Sequence, residues 1–188
     1  MSYDNKTLLT KQAMHIALKK LLTVKPFKKI TIKDITDACG LNRQTFYYHF
    51  QDIYDLLEWS FREEFRFLDA YLQKPDNTWE EFLAGALMHI SQNKYVCQCI
   101  IDGVARDQLI LSLHNSIYEI IKKIILHVNA AAPIPSRYLD FTARFYTYAL
   151  SNYIFDWVRN GMQETPAQII DNFRFVISGR QGAAPGKA

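Results

Sequence analysis

Apolar residues recur three and four positions apart along most of the chain, the spacing that places them on one face of an α-helix. The first such stripe predicts a helix over residues 6–22, which Pro26 then prevents from continuing. Its inward positions are predicted to be Leu8, Leu9, Ala13, Ile16, Ala17 and Leu21. Later stripes predict helices over residues 52–72, 78–90, 93–101, 108–128, 135–160 and 166–177. Thr78 is predicted to cap the second of these with Glu81 at the capping-box position, and Asp102 and Gly103 are predicted to form a break.

Residues 31–50 predict two further short helices joined by a tight turn. Thr31 is a suitable N-cap for the first helix, and Asp34 three residues later completes a capping box. Gly40 can adopt the positive φ that a sharp turn needs. The second helix has an N-cap and two inward aromatic residues, which are Asn42, Phe46 and Phe50. The whole pattern predicts an all-α fold of about nine helices.

The outward side of the second short helix carries hydrogen-bonding and aromatic side chains, as a helix that reads the DNA major groove requires. Arg43 can grip guanine and Gln44 can grip adenine, each through two hydrogen bonds. Better placed for backbone phosphates are the side chains of Thr31, Lys33, Thr45, Tyr47 and His49. Tyr48 could contact DNA or pack against the body, and the sequence favours neither. The predicted DNA-binding residues are Thr31, Lys33, Asn42, Arg43, Gln44, Thr45, Tyr47, Tyr48 and His49.

The charge of the chain is concentrated at its N-terminal end. Residues 1–50 hold nine lysines and arginines against three acids, so their net charge is +6, and the net +3 of the chain leaves −3 for the remainder. A basic segment on a slightly acidic body is the electrostatic signature of a DNA-binding module. The alternative is a solvated lysine-rich helix face, so charge alone does not decide between the two.

Residues 31–50 resemble the helix-turn-helix of TetR/AcrR-type transcriptional regulators. The shared features are a threonine that opens the second helix, a glycine in the turn, and the ending Thr-aromatic-Tyr-x-His-Phe, here residues 45–50. The resemblance covers about residues 8–60. One position departs from the pattern, because the lysine that usually follows the His-Phe pair and meets a phosphate is Ile53 here.

The resemblance implies a helix-turn-helix head over residues 1–52, an effector-binding and dimerisation body over 53–179, and a tail over 180–188 whose composition predicts disorder. It also implies a homodimer on a palindromic operator, most often a repressor, with Tyr47 on a phosphate. An effector in the body would move the fourth helix and change the separation of the two recognition helices. The alternative to a repressor is a regulator that activates transcription.

The helix predicted over 135–160 is apolar over an arc too wide to be covered from one side. One stripe is expected to pack inward and the other, as the resemblance implies, on a second copy together with the last helix. The alternative is that both are ordinary core helices. The predicted dimerisation residues are Phe141, Phe145, Tyr148, Asn152, Phe155, Phe173 and Ile177.

The body is rich in aromatic residues, which suit a pocket for an apolar or aromatic small-molecule effector, although a plain core has the same composition. A weaker resemblance, through residues 41–50 and Trp157–Met162, is to regulators associated with dihydroxyacetone kinase operons. In that subgroup the signal can come from a protein partner. A further alternative is an interaction module whose helix-turn-helix no longer binds DNA, which Ile53 permits.

Metal and enzyme chemistry find little support in the residue pattern. Cys97 and Cys99 suit zinc by chemistry, but C-x-C spacing puts the two sulfurs on different helix faces, so no metal and no cofactor are expected. A metal-responsive regulator using these cysteines remains an alternative. No catalytic motif is recognisable, and Glu63 and Glu64 are expected on a solvated helix face.

The chain shows neither a signal peptide nor an apolar run long enough to cross a bilayer. Its three cysteines, an odd number, give no disulfide framework. A soluble protein of the reducing cytoplasm is therefore expected.

Overall fold

The computed structural model describes residues 3–178 apart from Pro75, Ala105 and Pro133. Helices dominate this part of the chain, which confirms the all-α prediction, and a 3₁₀ turn spans Phe27–Lys29. The helices are α1 (Tyr3–Leu22), α2 (Ile32–Cys39), α3 (Arg43–His49), α4 (Ile53–Glu64), α5 (Phe67–Leu72), α6 (Trp79–Gln92), α7 (Lys94–Gly103), α8 (Arg106–Val128), α9 (Ser136–Arg159) and α10 (Pro166–Ile177). The tail predicted over residues 180–188 lies outside the described residues.

Among the helices whose N-caps the structure describes, three begin with a capping box, in which a threonine and the residue three positions later satisfy each other's backbone N–H groups. Thr31 pairs with Asp34, Thr78 with Glu81, and Thr165 with Gln168. The first two boxes confirm predictions made from the sequence. Because a helix leaves its first four N–H groups without helical partners, each box fixes where its helix starts.

The buried face of α1 matches the predicted stripe only at its C-terminal end, where Ala17 is buried and Leu21 packs on the core. Met14, Ala17, Leu18 and Leu22 are buried, whereas Leu8, Leu9 and Ile16 of the predicted stripe are exposed. The helix carries two apolar stripes, and the one that is buried faces α2, α4 and α7. The periodicity could not distinguish the stripes, since the choice depends on these partners.

The single helix predicted over residues 52–72 is interrupted at Phe65 and Arg66, which separates α4 from α5. The rings of Phe65 and Phe67 both pack on His89 of α6, at 5.2 and 5.3 Å between centroids. Residues two positions apart in a continuous helix point in nearly opposite directions, so both rings could not reach the same neighbour. The interruption therefore reflects packing against α6.

The largest apolar core is shared between the N-terminal helices and the body. It includes Met14, Leu18, Ile35, Phe46, Phe50, Leu56, Val104, Leu109 and Phe155. Two smaller cores lie deeper in the body, one among α6, α9 and α10 and one between α8 and α9. The shared core crosses the predicted boundary at residue 52.

Candidate nucleic-acid interface and its connections

The turn between α2 and α3 is built from local hydrogen bonds that hold the two helices at a fixed angle. Gly40 adopts the left-handed conformation, with φ 67° and ψ 27°. The Leu41 backbone N–H then donates to the Thr36 carbonyl at 2.9 Å. Asn42 caps α3 by accepting from the backbone N–H of Thr45 at 2.8 Å. This is a helix-turn-helix with the caps that the sequence predicted.

The inner side of α3 is anchored by aromatic residues. Phe46 and Phe50 are both buried, with their ring centroids 5.7 Å apart, and Phe50 packs on Trp59 of α4 at 6.0 Å. The ammonium of Lys11 lies 5.1 Å from the Phe50 ring and 5.8 Å from the Trp59 ring. These contacts fix the rotation of α3 and so decide which of its residues face outward.

The outer side of α3 presents the residues that the sequence assigned to DNA. Arg43 and Gln44 are exposed in the first turn, where a recognition helix contacts base edges. Tyr47 and Tyr48 are 59% and 67% exposed. The Tyr47 ring stands edge-on to Phe46 at 5.8 Å, and the Tyr48 ring edge-on to His49 at 4.9 Å. The structure therefore brings these side chains together on one surface.

Several other predicted DNA-binding residues are engaged within the protein. The Thr31 hydroxyl donates to Asp34 at 2.7 Å, and the Thr45 hydroxyl donates to Asn42 at 3.0 Å. Lys33 forms an exposed ion pair with Asp37 at 2.6 Å. Exposed pairs one helical turn apart contribute only about 0.3–0.5 kcal/mol, so Lys33 can leave Asp37 at little cost.

Lys11 places a positive charge beside His49 at the end of α3. Partial burial, together with the nearby positive charge of Lys11, lowers the pKa of His49. Among the described residues no carboxylate pairs with Lys11, so its ammonium is available to an anion. The sequence did not single out Lys11 as a site residue. Its position over Phe50 and Trp59 depends on residues far from it in the chain, so the residues next to Lys11 give no indication of it.

The start of α4, where Ile53 stands in place of the family's usual lysine, is capped by acidic side chains. The Asp52 carboxylate accepts from the backbone N–H groups of Tyr54 and Asp55, at 2.8 and 2.9 Å. Asp55 in turn accepts from the Gln51 N–H at 3.0 Å. The free amides of this helix start are therefore occupied by the protein's own carboxylates, which would repel a phosphate.

Glu64, at the end of α4, joins the N-terminal helices to the body. Its carboxylate contacts Lys19 at 2.7 Å and His15 at 3.2 Å, both on α1, and His89 of α6 at 3.0 Å. Hydrogen bonding, first of all from His15, lowers the pKa of Glu64 to about 2. The expectation that Glu64 lies on a solvated face is therefore wrong.

A second connection is a close backbone approach between α7 and the 3₁₀ turn. A Cβ atom on Gly103 would come within 2.9 Å of the backbone nitrogens of Phe27 and Lys28. Val104, the next residue, is buried in the shared core. The sequence indicated only a break at Gly103, whereas the missing side chain permits a contact between distant segments.

The predicted dimerisation residues separate into two groups. Phe141, Phe145 and Tyr148 are 68%, 56% and 53% exposed along one face of α9, with Asn152 farther along it. Phe155 is only 6% exposed and lies under the guanidinium of Arg106, 4.9 Å from its ring centroid. Arg106 also donates to Asn152 at 2.9 Å. Phe155 therefore packs inside the chain rather than on the exposed face.

The two remaining predicted positions lie on α10. Phe173 packs edge-on against Tyr153 at 5.4 Å, and Ile177 is exposed at the end of the helix. Two exposed apolar residues of the same helix, Phe175 and Val176, were not predicted. Val176 falls on the apolar stripe of α10 that also holds Ile169 and Phe173, so its exposure was readable only once the buried side of α10 was known.

The body contains a cavity of about 520 Å³ lined by α4–α10. Phe61 of α4 and Phe65, directly after its end, form part of the wall, so the helix that carries the connection to the N-terminal core also borders the cavity. Phe155, Phe173 and Ile177, predicted for dimerisation, also line it. The sequence predicted an aromatic pocket here, and the structure adds that most of its wall is aliphatic.

The cysteines do not form a common site. Cys97 packs against the core among α6, α9 and α10, whereas Cys99 packs against the shared core, so the two thiols face apart as their spacing predicted. Burial raises the pKa of Cys97 to about 11, which disfavours the thiolate that metals bind. Within the described parts of the chain, no three His, Cys, Asp or Glu residues are grouped to hold a metal ion.

A capped helix-turn-helix with a basic, aromatic outer face, joined to a larger helical body, defines a DNA-binding regulator by its architecture. Residues 17–58 match the model of bacterial regulatory proteins of the tetR family, and residues 77–179 match that of a transcriptional regulator C-terminal region. The chain therefore belongs to the TetR family of transcriptional regulators. Its members are DNA-binding regulators rather than enzymes, and the predicted resemblance is confirmed.

Individual relatives agree with this assignment. The HTH-type dhaKLM operon transcriptional activator DhaS of Lactococcus lactis subsp. lactis (strain IL1403) is 29% identical over 99 residues, which is 50% of each protein. The structure of a dihydroxyacetone kinase operon activator DhaS aligns at a TM-score of 0.64 and 18% identity, covering 92% of this chain and 96% of that one. A TetR transcriptional regulator from Streptococcus agalactiae 2603V aligns at 0.60 and 21%, covering 93% and 96%.

The match to the curated relative spans about half the length of either protein. The structural likenesses, at 18% and 21% identity, show the fold alone. Among the described helices none is both long and apolar enough to cross a membrane.

Proposed function

We propose that the protein is a homodimeric repressor that binds a palindromic operator and releases it when an effector occupies the body. In this proposal residues 1–52 form the DNA-binding head and residues 53–179 the effector-binding and dimerisation body. The observation that carries it is the outer face of α3, where exposed Arg43 and Gln44 are held in position by the buried Phe46 and Phe50.

Sequence-specific contacts are assigned to the start of α3. Arg43 can donate two hydrogen bonds to guanine, and Gln44 can pair with adenine. Tyr47, Tyr48 and His49 lie farther along the same face, where they would contact phosphates and fix the register. Lys11 adds a positive charge beside His49. Lys33, Thr31, Thr45 and Asn42 complete the set as phosphate contacts or as the caps that orient the helix.

Dimerisation is assigned to the exposed face of α9. Three aromatic residues on one helix face, Phe141, Phe145 and Tyr148, expose a row of apolar surface that a two-fold-related copy would cover. A two-fold axis also suits a palindromic operator, because each recognition helix then meets one half-site. The two α3 helices must lie about 34–36 Å apart to enter successive major grooves.

The cavity supplies the regulatory step. An effector that contacts Phe61 and Phe65 would favour one position of α4, and α4 is tied to α1 through Glu64. If α4 in that position holds the two recognition helices at a distance that does not match successive major grooves, the operator is released. A small molecule is favoured over a protein co-regulator because the body holds a cavity of about 520 Å³.

The first experiment is a fluorescence-anisotropy titration with DNA flanking the protein's own gene, at several salt concentrations. Arg43→Ala should weaken specific binding by about 5- to 150-fold, because it removes the hydrogen bonds of one arginine to a base. Arg159→Ala, which removes the same charge from an exposed position of α9, should change little. Binding that falls steeply with salt and is equally affected by both substitutions would refute sequence-specific recognition through α3.

Activation is the second candidate for the sign of regulation. It is favoured by the names of two relatives, both described as activators of a dihydroxyacetone kinase operon. Transcription from a template carrying the bound operator, measured with and without the protein, separates the two. Lower transcript yield supports repression, and higher yield supports activation.

A further inference from the structure

The wall of the body cavity is free of formal charge. None of the described residues that line it is an aspartate, glutamate, lysine, arginine or histidine. Moving an ionised group from water into such surroundings without a partner is strongly unfavourable. A ligand that carries a charge in the cavity would therefore have to keep that charge in water, and an uncharged ligand is favoured.

The cavity is long for its volume. Helix α8 contributes lining residues from Leu109 to Val128, which at 1.5 Å per residue corresponds to a path of about 28 Å. These residues are mostly isoleucine and leucine, and α9 faces them with Tyr146, Leu150 and Ile154. A volume of about 520 Å³ spread along this path describes a narrow apolar passage, which suits a chain-like molecule.

The polar side chains of the cavity wall, apart from the indole of Trp79, are Asn129, Thr142, Tyr146 and Ser151. Ser151 Oγ is buried and, within the described part of the chain, meets neither a donor nor an acceptor. Thr147, one turn earlier, donates its hydroxyl to the Ala143 carbonyl at 2.7 Å, and the Asn129 amide donates to Ile125 at 2.8 Å. A buried hydroxyl without a partner is unfavourable. Because Oγ is out of contact with the open space of the cavity, the Ser151 side chain has to rotate toward the cavity before a ligand group can bond to it, and the ligand then gains that interaction.

We propose that the cavity binds uncharged, chain-like molecules that carry one hydroxyl or carbonyl group, with that group hydrogen-bonded to Ser151 Oγ. Long-chain alcohols and ketones are the simplest members of this class. The proposal rests on the proposed function only where it makes such a molecule the effector. Binding itself follows from the volume, the uncharged wall and Ser151.

The test compares ligands of one chain length that differ in the head group. 1-Decanol, decanoate and decyltrimethylammonium are titrated into the full-length protein at pH 7.5 by calorimetry. 1-Decanol should bind at least about tenfold more tightly than either ion, given the cost of burying a charge. Across 1-hexanol, 1-octanol and 1-decanol, affinity should rise about fourfold per added CH₂.

Ser151→Ala should weaken 1-decanol binding by about three- to tenfold, since a net hydrogen bond is lost. Ser112→Ala is the control, because Ser112 lies on α8 with its hydroxyl bonded to the Gln108 carbonyl and does not line the cavity. Decanoate affinity equal to that of 1-decanol, no binding of the alcohols, or an unchanged affinity in Ser151→Ala would overturn the proposal.

Anisotropy of operator DNA in the presence of saturating 1-decanol separates this proposal from the proposed function. Alcohol binding without operator release would support the ligand class and overturn its role as effector. Operator binding without any alcohol binding would overturn the ligand class and leave DNA recognition intact.

Discussion

Glu64 holds three elements together with a single carboxylate. A carboxylate with a pKa of about 2 is ionised near neutral pH and only accepts hydrogen bonds. Both imidazoles, on His15 and His89, therefore have to carry a proton on the Nε2 atom that faces it. Because His15 and Lys19 lie on α1 and His89 lies on α6, the N-terminal helix and the body helix share one anion.

We predict that Glu64→Gln lowers the free energy of unfolding by about 1–2 kcal/mol at pH 7, a value reduced because water partly screens these pairs. The pKa of Glu64 is lower in the folded protein than in the unfolded chain. Its contribution is therefore fully present above about pH 4.5 and is lost as the pH falls toward 2. Urea denaturation of both proteins between pH 7 and pH 3 measures the difference.

Glu119→Gln is the matched control, since Glu119 is exposed on α8 and the change in charge is the same. It should leave stability nearly unchanged at every pH. A constant difference between wild type and Glu64→Gln down to pH 3 would show that the ionised carboxylate is not what stabilises this junction.

Residue roles that depend on near neighbours were readable from the sequence, and those that depend on distant ones were not. The caps at Thr31, Thr78 and Asn42 follow from residues within three positions, and all three are present. Glu64 looked like an ordinary surface acid because His15 and His89 are far from it in the chain. Local chemistry is therefore a sound guide to helix ends and a poor one to ion pairs between helices.

At the scale of elements, the contact between α7 and the 3₁₀ turn depends on a missing side chain. We predict that Gly103→Ala destabilises the protein by about 1–3 kcal/mol, the usual cost of forcing extra volume into a packed site. The added methyl group would meet backbone atoms of Phe27 and Lys28, which cannot rotate away as a side chain can. Thermal and urea unfolding measure the loss.

Gly85→Ala provides the comparison for this prediction. Gly85 lies within α6. The three atoms nearest to a Cβ at this position belong to side chains of α5, those of Phe67, Leu68 and Tyr71, at 3.5–3.6 Å. Alanine is favoured over glycine inside a helix by up to about 1 kcal/mol, so this variant should be neutral or more stable. Equal effects of the two substitutions would contradict the close approach at Gly103.

The proposed dimer can be tested by changing one residue on the exposed face of helix α9. We predict that Phe145→Arg converts the dimer to monomers, because it places a charge at the centre of the surface proposed to pair with a second copy. Sedimentation velocity measures the change, and circular dichroism confirms that the fold is kept. Met88→Arg, at an exposed apolar position of α6, should stay dimeric. A dimeric Phe145→Arg variant would place the interface elsewhere.

The sequence predicted where helices occur better than it predicted what each helix packs against. The periodicity located the long helices to within a few residues, but it placed Leu8, Leu9 and Ile16 of α1 inward, although they are exposed, and it joined α4 to α5. Both errors concern which neighbour a helix packs against, as His89 shows for Phe65 and Phe67. On α9 the wide apolar arc indicated two covered sides, yet only the structure showed Phe155 under Arg106.

At the scale of the whole molecule, the shared core joins segments that the sequence assigned to separate units. Phe46 and Phe50 of the helix-turn-helix belong to the same buried cluster as Val104, Leu109 and Phe155 of the body. Removing the body would expose the apolar side of the N-terminal helices to water. Stability of the head is therefore expected to depend on the body.

We predict that the head and the body unfold in one transition. Trp59 reports on the head through its contact with Phe50, and Trp157 reports on the core among α6, α9 and α10. Two variants, each keeping one of these tryptophans and replacing the other and Trp79 with phenylalanine, should show coincident urea unfolding curves by fluorescence. Circular dichroism of each variant corrects for any overall loss of stability caused by the substitutions.

An earlier midpoint for the Trp59 reporter would mean that the head opens while the body stays folded. The effector would then act by changing how often the head is folded, with no need to move α4 as a rigid lever. Coincident curves would instead require that occupancy of the cavity be passed to α3 through packed contacts at Glu64, Gly103 and the shared core. By linkage, operator DNA must then weaken effector binding by the same factor as effector weakens operator binding.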